Sequence, residues 1–241
     1  MPVITHAPTL ILLVASVVAP RTLSAADWRL LGAAMSAEIA PRARTAVVTV
    51  RYRLVADGEA AEIRLRGLEF FGTELDDISA SVHGNRAPFR FERKAAPAVA
   101  GTISIPPGCR GEDELEITLR YTVRQAIGLE GRRFDAVLPL LVPEAEPPAA
   151  REGFFTSETR MPAEYTVTES FPTVPRTTAV EGETKRVSLT LQVMPAMVRW
   201  RGTSGPPPLL TFGRSLSLGV AGVILILVLM GYGRLRRAGS P

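Results

Sequence analysis

Apolar and polar residues alternate with a period of two along much of this chain, and that rhythm organises the reading of it. In the stretch AVVTVRYRLVADG, Val48, Val50, Tyr52 and Leu54 fall on one face, and Thr49, Arg51 and Arg53 on the other. A period of two with one apolar face predicts a half-buried strand. Asp57-Gly58 then reads as a turn. Ile63, Leu65 and Leu68 continue with Arg64 and Arg66 outward, so a second strand is expected to pair back on the first, ending at the bulky Phe70 and Phe71. Ile78, Ala80 and Val82 alternate with Ser79 and Ser81. His83-Gly84-Asn85-Arg86 supplies turn residues, and Phe89 and Phe91 lead back. Ile103 and Ile105 mark a short strand closed by Pro106-Pro107-Gly108. Residues 112–124 (EDELEITLRYTVR) form the longest clean alternation, with Leu115, Ile117, Leu119, Tyr121 and Val123 on one side.

The pattern weakens afterwards. Residues 125–133 carry weak helix or loop signals, 137–142 form an apolar run broken by Pro139, and 143–148 read as a loop or linker. Tyr165, Val167 and Phe171 suggest a strand. Val187, Leu189, Leu191 and Val193 give a clear one after the Glu181-Gly182 turn, and Met197, Val198 and Trp200 close the folded part. Residues 27–42 fit a helix through Leu30, Leu31, Ala34 and Met35, or a strand through Met35, Ala37 and Ile39, with Trp28 packing the segment onto the domain. Short strands with turn signals between them, and no helical pattern separating them, predict an all-β fold. The expected form is an antiparallel, immunoglobulin-like β-sandwich at residues 27–201, completed as one domain by the second half of the chain.

Two apolar stretches lie outside that rhythm. Residues 9–19 (TLILLVASVVA) have the length of a secretory-signal core, and Ser24-Ala25-Ala26 offers small residues for a cut before Asp27, so 1–26 are expected to be a signal peptide. Residues from Ser215 to Gly233 (SLSLGVAGVILILVLMGYG) carry no charge. At about 1.5 Å per residue they would span about 28 Å as a helix, close to a bilayer's hydrocarbon core. They are expected to form one transmembrane helix in contact with the lipid bilayer. Residues 202–214 would be a Pro/Gly-rich spacer, and 234–241, with Arg234, Arg236 and Arg237, a short basic cytoplasmic tail. The expected location is the inner membrane, single-pass, with the N-terminal domain outside.

Composition narrows the function. Net charge is +4, and of the 28 basic residues only Lys94 and Lys185 are lysines. Arginines are interspersed with Asp and Glu and no basic run is interleaved with aromatics, which argues against nucleic-acid binding. Cys109 is the one cysteine, so no intramolecular disulfide forms, and it reads as a small turn residue.

Residues 78–124 run as a strand, a His-Gly-Asn turn, a Phe-rich strand, a Pro-Pro-Gly loop and LEITLRYTV. This order resembles the N-terminal β-domain of M1-family aminopeptidases over about a fifth of the chain. The resemblance implies a fold and no activity, because the family's zinc motif H-E-x-x-H is absent. As a whole the chain resembles bacterial signal-bearing, single-span membrane proteins with a β-sandwich ectodomain.

The inventory of reactive groups is thin. His6 lies in the signal stretch, so a Ser-His-Asp arrangement would have to use His83, which reads as a solvated turn residue, and there is no G-x-S-x-G elbow or phosphate-binding glycine loop; one histidine with one cysteine cannot build a usual zinc site. Asp76-Asp77 and the group Glu112, Asp113, Glu114 and Glu116 are carboxylate clusters that read as solvated strand ends. The sequence assigns no catalytic, cofactor-binding or metal-ligating residue and no cofactor. It points to a non-enzymatic, membrane-anchored extracytoplasmic protein that binds or scaffolds an envelope protein partner. Two alternatives stay open: an envelope-polymer hydrolase working through carboxylates, and a surface protein whose C-terminal span is a processing tag.

Overall fold

The computed structural model describes residues 28–56, 60–109, 114–145 and 150–205. The expected signal (1–26), the Asp57-Gly58 turn, Glu112, Asp113 and everything expected from 206 onward, the 215–233 span included, lie outside those residues. No helix among the described residues is long and apolar enough to cross a membrane.

The described residues form sixteen strands and three short 3-10 turns. The strands are β1 (Trp28–Ala40), β2 (Thr45–Ala56), β3 (Glu62–Leu68), β4 (Glu74–Val82), β5 (Asn85–Ala87), β6 (Phe89–Arg93), β7 (Ala98–Ser104), β8 (Leu115–Arg124), β9 (Ile127–Glu130), β10 (Arg133–Pro139), β11 (Val142–Pro143), β12 (Phe155–Pro162), β13 (Tyr165–Phe171), β14 (Arg176–Glu181), β15 (Thr184–Leu191) and β16 (Met197–Ser204). They make an eight-stranded sheet, β14-β15-β12-β1-β2-β8-β4-β5, and two four-stranded sheets, β13-β16-β10-β9 and β11-β3-β7-β6. The all-β expectation holds, in three sheets where the spacing suggested two. One pairing is parallel, β1 with β12, so the fold is not antiparallel throughout.

Both small sheets cover the same face of the large one. Val48, Val50, Tyr52 and Leu54 of β2 lie opposite Tyr121, Leu119, Ile117 and Leu115 of β8, all buried as the alternation required. From that face the Tyr52 hydroxyl donates to the carbonyl of Leu141, and the Tyr121 hydroxyl donates to that of Pro139 at 2.8 Å. The Trp28 indole N–H donates to the Glu62 carbonyl at 2.9 Å, fixing β1 against β3. Burial pushes both tyrosines well above the ordinary phenol value. Each hydroxyl is thus a neutral clamp between layers, satisfied as a buried polar group must be.

Several expectations are corrected. Of the two alternatives for the first segment, residues 28–40 take the strand, with Met35, Ala37 and Ile39 buried in the shared core. The stretch 62–68 does not pair back on 45–56: β3 joins β7 and β11, while β2 lies between β1 and β8. The hairpin at His83-Gly84 forms, with φ of +49° and +79° there. Its return strand pairs for only three residues before Pro88, which lacks an N–H, sends Phe89 into another sheet. Residues 125–133 hold β9 and the turn into β10 instead of helix or plain loop. β12 and β14 were not anticipated, and Val193 lies beyond β15, exposed.

Candidate binding face

The β13-β16-β10-β9 sheet turns Phe134, Ala136, Leu138, Val198 and Trp200 into the core. Its other side carries the most chemically distinctive surface. Register aligns Asp135, Arg201 and Glu169 in one row across β10, β16 and β13, and Val137, Arg199 and Phe171 in the next.

A bulge creates this arrangement. Tyr165 and Val167 face inward, and strict alternation would turn Glu169 and Phe171 inward with them. The register shifts between Val167 and Glu169, so both side chains turn outward. The Arg176 guanidinium holds the bulge, donating to the carbonyls of Val167 and Thr168 at 3.1 and 2.9 Å. Phe171 therefore stands 49% exposed instead of joining the core. Close approach of the strands rests on Gly202, where a Cβ would lie 1.9 Å from the carbonyl oxygen of Thr166.

The polar part is a ladder. Arg199 grips Asp135 with two parallel bonds, Nε to Oδ1 at 2.7 Å and Nη2 to Oδ2. Arg201 Nε reaches the same Oδ2 at 3.3 Å, and its Nη1 lies 3.8 Å from Glu169 Oε2. The hydrogen bond from Arg199 holds the Asp135 carboxyl below its usual range, against some desolvation. The reciprocal bond raises Arg199. Planar two-point pairing fixes a guanidinium in orientation as well as charge.

The apolar part is aromatic. Phe71 sits in the 3-10 turn Phe70–Gly72 with φ +52°, the left-handed region a bulky side chain avoids, and is 65% exposed. Its ring lies 4.4 Å from the Arg199 guanidinium, a cation–π contact. The turn is pinned from both ends: Thr73 donates to the Phe70 carbonyl through N–H and hydroxyl, and Glu69 accepts the Leu75 N–H at 2.9 Å. Beside the ladder, Phe171, Met197, Arg199 and Arg201 edge a hollow of about 320 Å³. Such a surface can recognise and hold.

The residues weighed from sequence fall elsewhere. His83 is in its turn, and Cys109 is a half-buried free thiol in the 3-10 turn Pro107–Cys109. Asp76 pairs with Arg124, and Glu114 with Arg53. Asp76 lies beside Thr122, and Glu116 six residues back along β8, a separation of about 20 Å at strand rise, so these two carboxylates do not share one site. Among the described residues no cluster of His, Cys, Asp and Glu could hold a metal ion. The Phe71–Arg199 face was missed. Its one local signal is Arg199-Trp200-Arg201, a buried tryptophan between two outward arginines.

No protein-family model matches this chain, and no curated protein does. Solved structures show a weak resemblance. An M1 zinc metallopeptidase from Deinococcus radiodurans is 16% identical over 73% of this chain and 42% of its own, with a TM-score of 0.48. Native yeast leukotriene A4 hydrolase is 14% identical over 75% of this chain and 30% of its own, with a TM-score of 0.49. The chain thus matches less than half the length of either. The class that the strands themselves define is an all-β chain, and its likeness to these two enzymes is weak. Its sequence lacks H-E-x-x-H, with histidine only at positions 6 and 83.

Proposed function

We propose that this chain is a non-enzymatic binding or scaffolding protein of the bacterial envelope. In this reading the β domain of residues 27–201 stands outside the inner membrane on the 215–233 helix, and its outer sheet face docks a protein partner. The observation that carries it is Phe71: a bulky residue held at positive φ, two-thirds exposed, with its ring against a clamped arginine. Strain of this kind persists only where surroundings enforce it, and it gathers at functional sites. Aromatic, Met and Arg side chains are enriched at the centres of protein interfaces. Phe71, Phe171, Met197 and Arg199 fit an apolar centre, with Arg201 and Glu169 as its charged rim.

Site-specific photocrosslinking tests it. A benzoylphenylalanine at position 171 of the full-length protein, expressed in its own cells, should give a discrete protein adduct, lost when Phe71 and Arg199 are both changed to Ala. A benzoylphenylalanine at exposed Val180 should not give that adduct. Equal labelling from positions 171 and 180 would defeat the proposal.

A further inference from the structure

A second surface, independent of the face above, lies on the outer side of the β11-β3-β7-β6 sheet. Along β3, Ile63 and Leu65 bury inward, so Arg66 and Leu68 face out. Along β7, Val99 and Ile103 bury inward, so Ala98 and Ala100 face out. Register sets Val142, Arg66, Ala100 and Glu92 in one row. The Lys94 N–H donates to the Ala98 carbonyl, and Ala98 lies opposite Leu68, so Lys94, Ala98 and Leu68 form the next.

Two alanines flanked by longer side chains leave a trough. It has a volume of about 500 Å³; Leu68, Ala98, Ala100, Leu140, Val142 and Ala196 line it, and Gly67 and Val99 of the same two strands line it as well. Its only charged lining residues are cations. Arg66 is already held by Glu144, whereas Lys94 has no ion pair among the described residues. Glu92 stands next to Ala100 but does not line the trough. From the Lys94 side to β11 is about three strand spacings, or about 14 Å.

We propose that this trough binds a free medium-chain acyl carboxylate of roughly eight to twelve carbons, its hydrocarbon lying over Ala98 and Ala100 and its carboxylate against the Lys94 ammonium. The volume lies in the range of small-molecule sites, and a mostly apolar lining with one convergent charge gives orientation and selectivity. The alanine floor sets chain accommodation, and Lys94 sets the preference for an anion over an alcohol or amine of equal length.

Isothermal titration of the full-length protein with decanoate tests this. One saturable site is expected, with octanoate about tenfold weaker for its two missing methylenes. Decan-1-ol and decylamine should bind at least fivefold more weakly than decanoate. Lys94→Glu should weaken decanoate at least fivefold and leave decan-1-ol unchanged. Ala98→Phe should abolish the site by filling it, with Ala100→Leu as a milder filling variant if the first does not fold by circular dichroism. Equal affinity for decanoate, decan-1-ol and decylamine overturns the proposal. So does no binding at all, or undiminished binding in a folded trough-filling variant.

Discussion

The Trp200 indole N–H donates to the hydroxyl of Thr159 at 3.0 Å across the buried layer, joining β16 of a small sheet to β12 of the large one. Both side chains are fully buried, so each is the other's means of satisfying a polar group without water. Thr159→Val should leave the indole N–H unpaired and destabilise by about 1–3 kcal/mol, whereas Thr159→Ser should restore most of that. Next to it on the same face, the Ser157 hydroxyl is buried without a partner, so Ser157→Ala should be neutral or slightly stabilising. Chemical denaturation of the four proteins checks the order.

Gly202 is the tightest point of the second sheet. Gly202→Ala places a methyl against the Thr166 carbonyl and the Phe134 ring, neither of which is a free-swinging end. Overpacking of this severity should cost about 3 kcal/mol or more. By contrast Gly131→Ala, with open space around its Cβ, meets only the strain of its φ of +59° and should cost about 1 kcal/mol. Thermal melts of the two should differ clearly.

Acid should loosen the ladder on the binding face. Asp135 has a lowered folded pKa, chiefly through its hydrogen bond from Arg199. Its contribution is therefore complete above the unfolded carboxyl value of about 3.9 and is lost as pH falls through the folded value. Asp135→Asn should be less stable than the parent at pH 7, and the gap should close as pH drops below about 4. A gap that widens with acid would contradict the assignment.

Alkali should act on the two core phenols. Tyr52 and Tyr121 have folded values raised by burial, so any contribution they make is intact below the unfolded value of about 10 and is lost as pH rises from there. Above pH 10 the pair should steepen the fall in stability by about 3 kcal/mol per pH unit. Tyr52→Phe with Tyr121→Phe should remove most of that slope while lowering stability at neutral pH through the lost bonds to Leu141 and Pro139. Urea midpoints between pH 8 and 11 read both effects.

Phe71 separates stability from recognition. Phe71→Gly relieves a left-handed backbone strain of about 1–2 kcal/mol but adds about 0.5–1 kcal/mol of unfolded-state entropy and forfeits a cation–π contact of about 0.5–1 kcal/mol. Net stability should therefore stay within about 1 kcal/mol, while affinity for the crosslinked partner falls at least tenfold. Loss of stability with affinity preserved would make Phe71 a structural residue.

Where alternation was clean, the reading was sound: the buried sets of β2 and β8 are those the period of two selects. β12 escaped because its inward positions, Phe155, Ser157, Thr159 and Met161, include two polar residues, and the partner of Thr159 is 41 residues away. Phe171 was placed with Tyr165 and Val167 because nothing local marks the bulge at Thr168, which the distant Arg176 secures. The binding face was illegible for the same reason. Its members come from positions 71, 135, 169, 171, 199 and 201; strand register brings the last five into two rows, and the Phe70–Gly72 turn adds Phe71 against Arg199.

The sequence by itself determined that the chain is built of strands and which residues of the central ones are buried. Periodicity is a local property, and it survives any arrangement of sheets. Only the tertiary structure decided which strands are neighbours, that β1 and β12 run parallel, and where Phe71 meets Arg199. Those choices depend on hydrogen-bond partners and clearances between segments far apart in the chain, such as the space that Gly202 leaves for the Thr166 carbonyl.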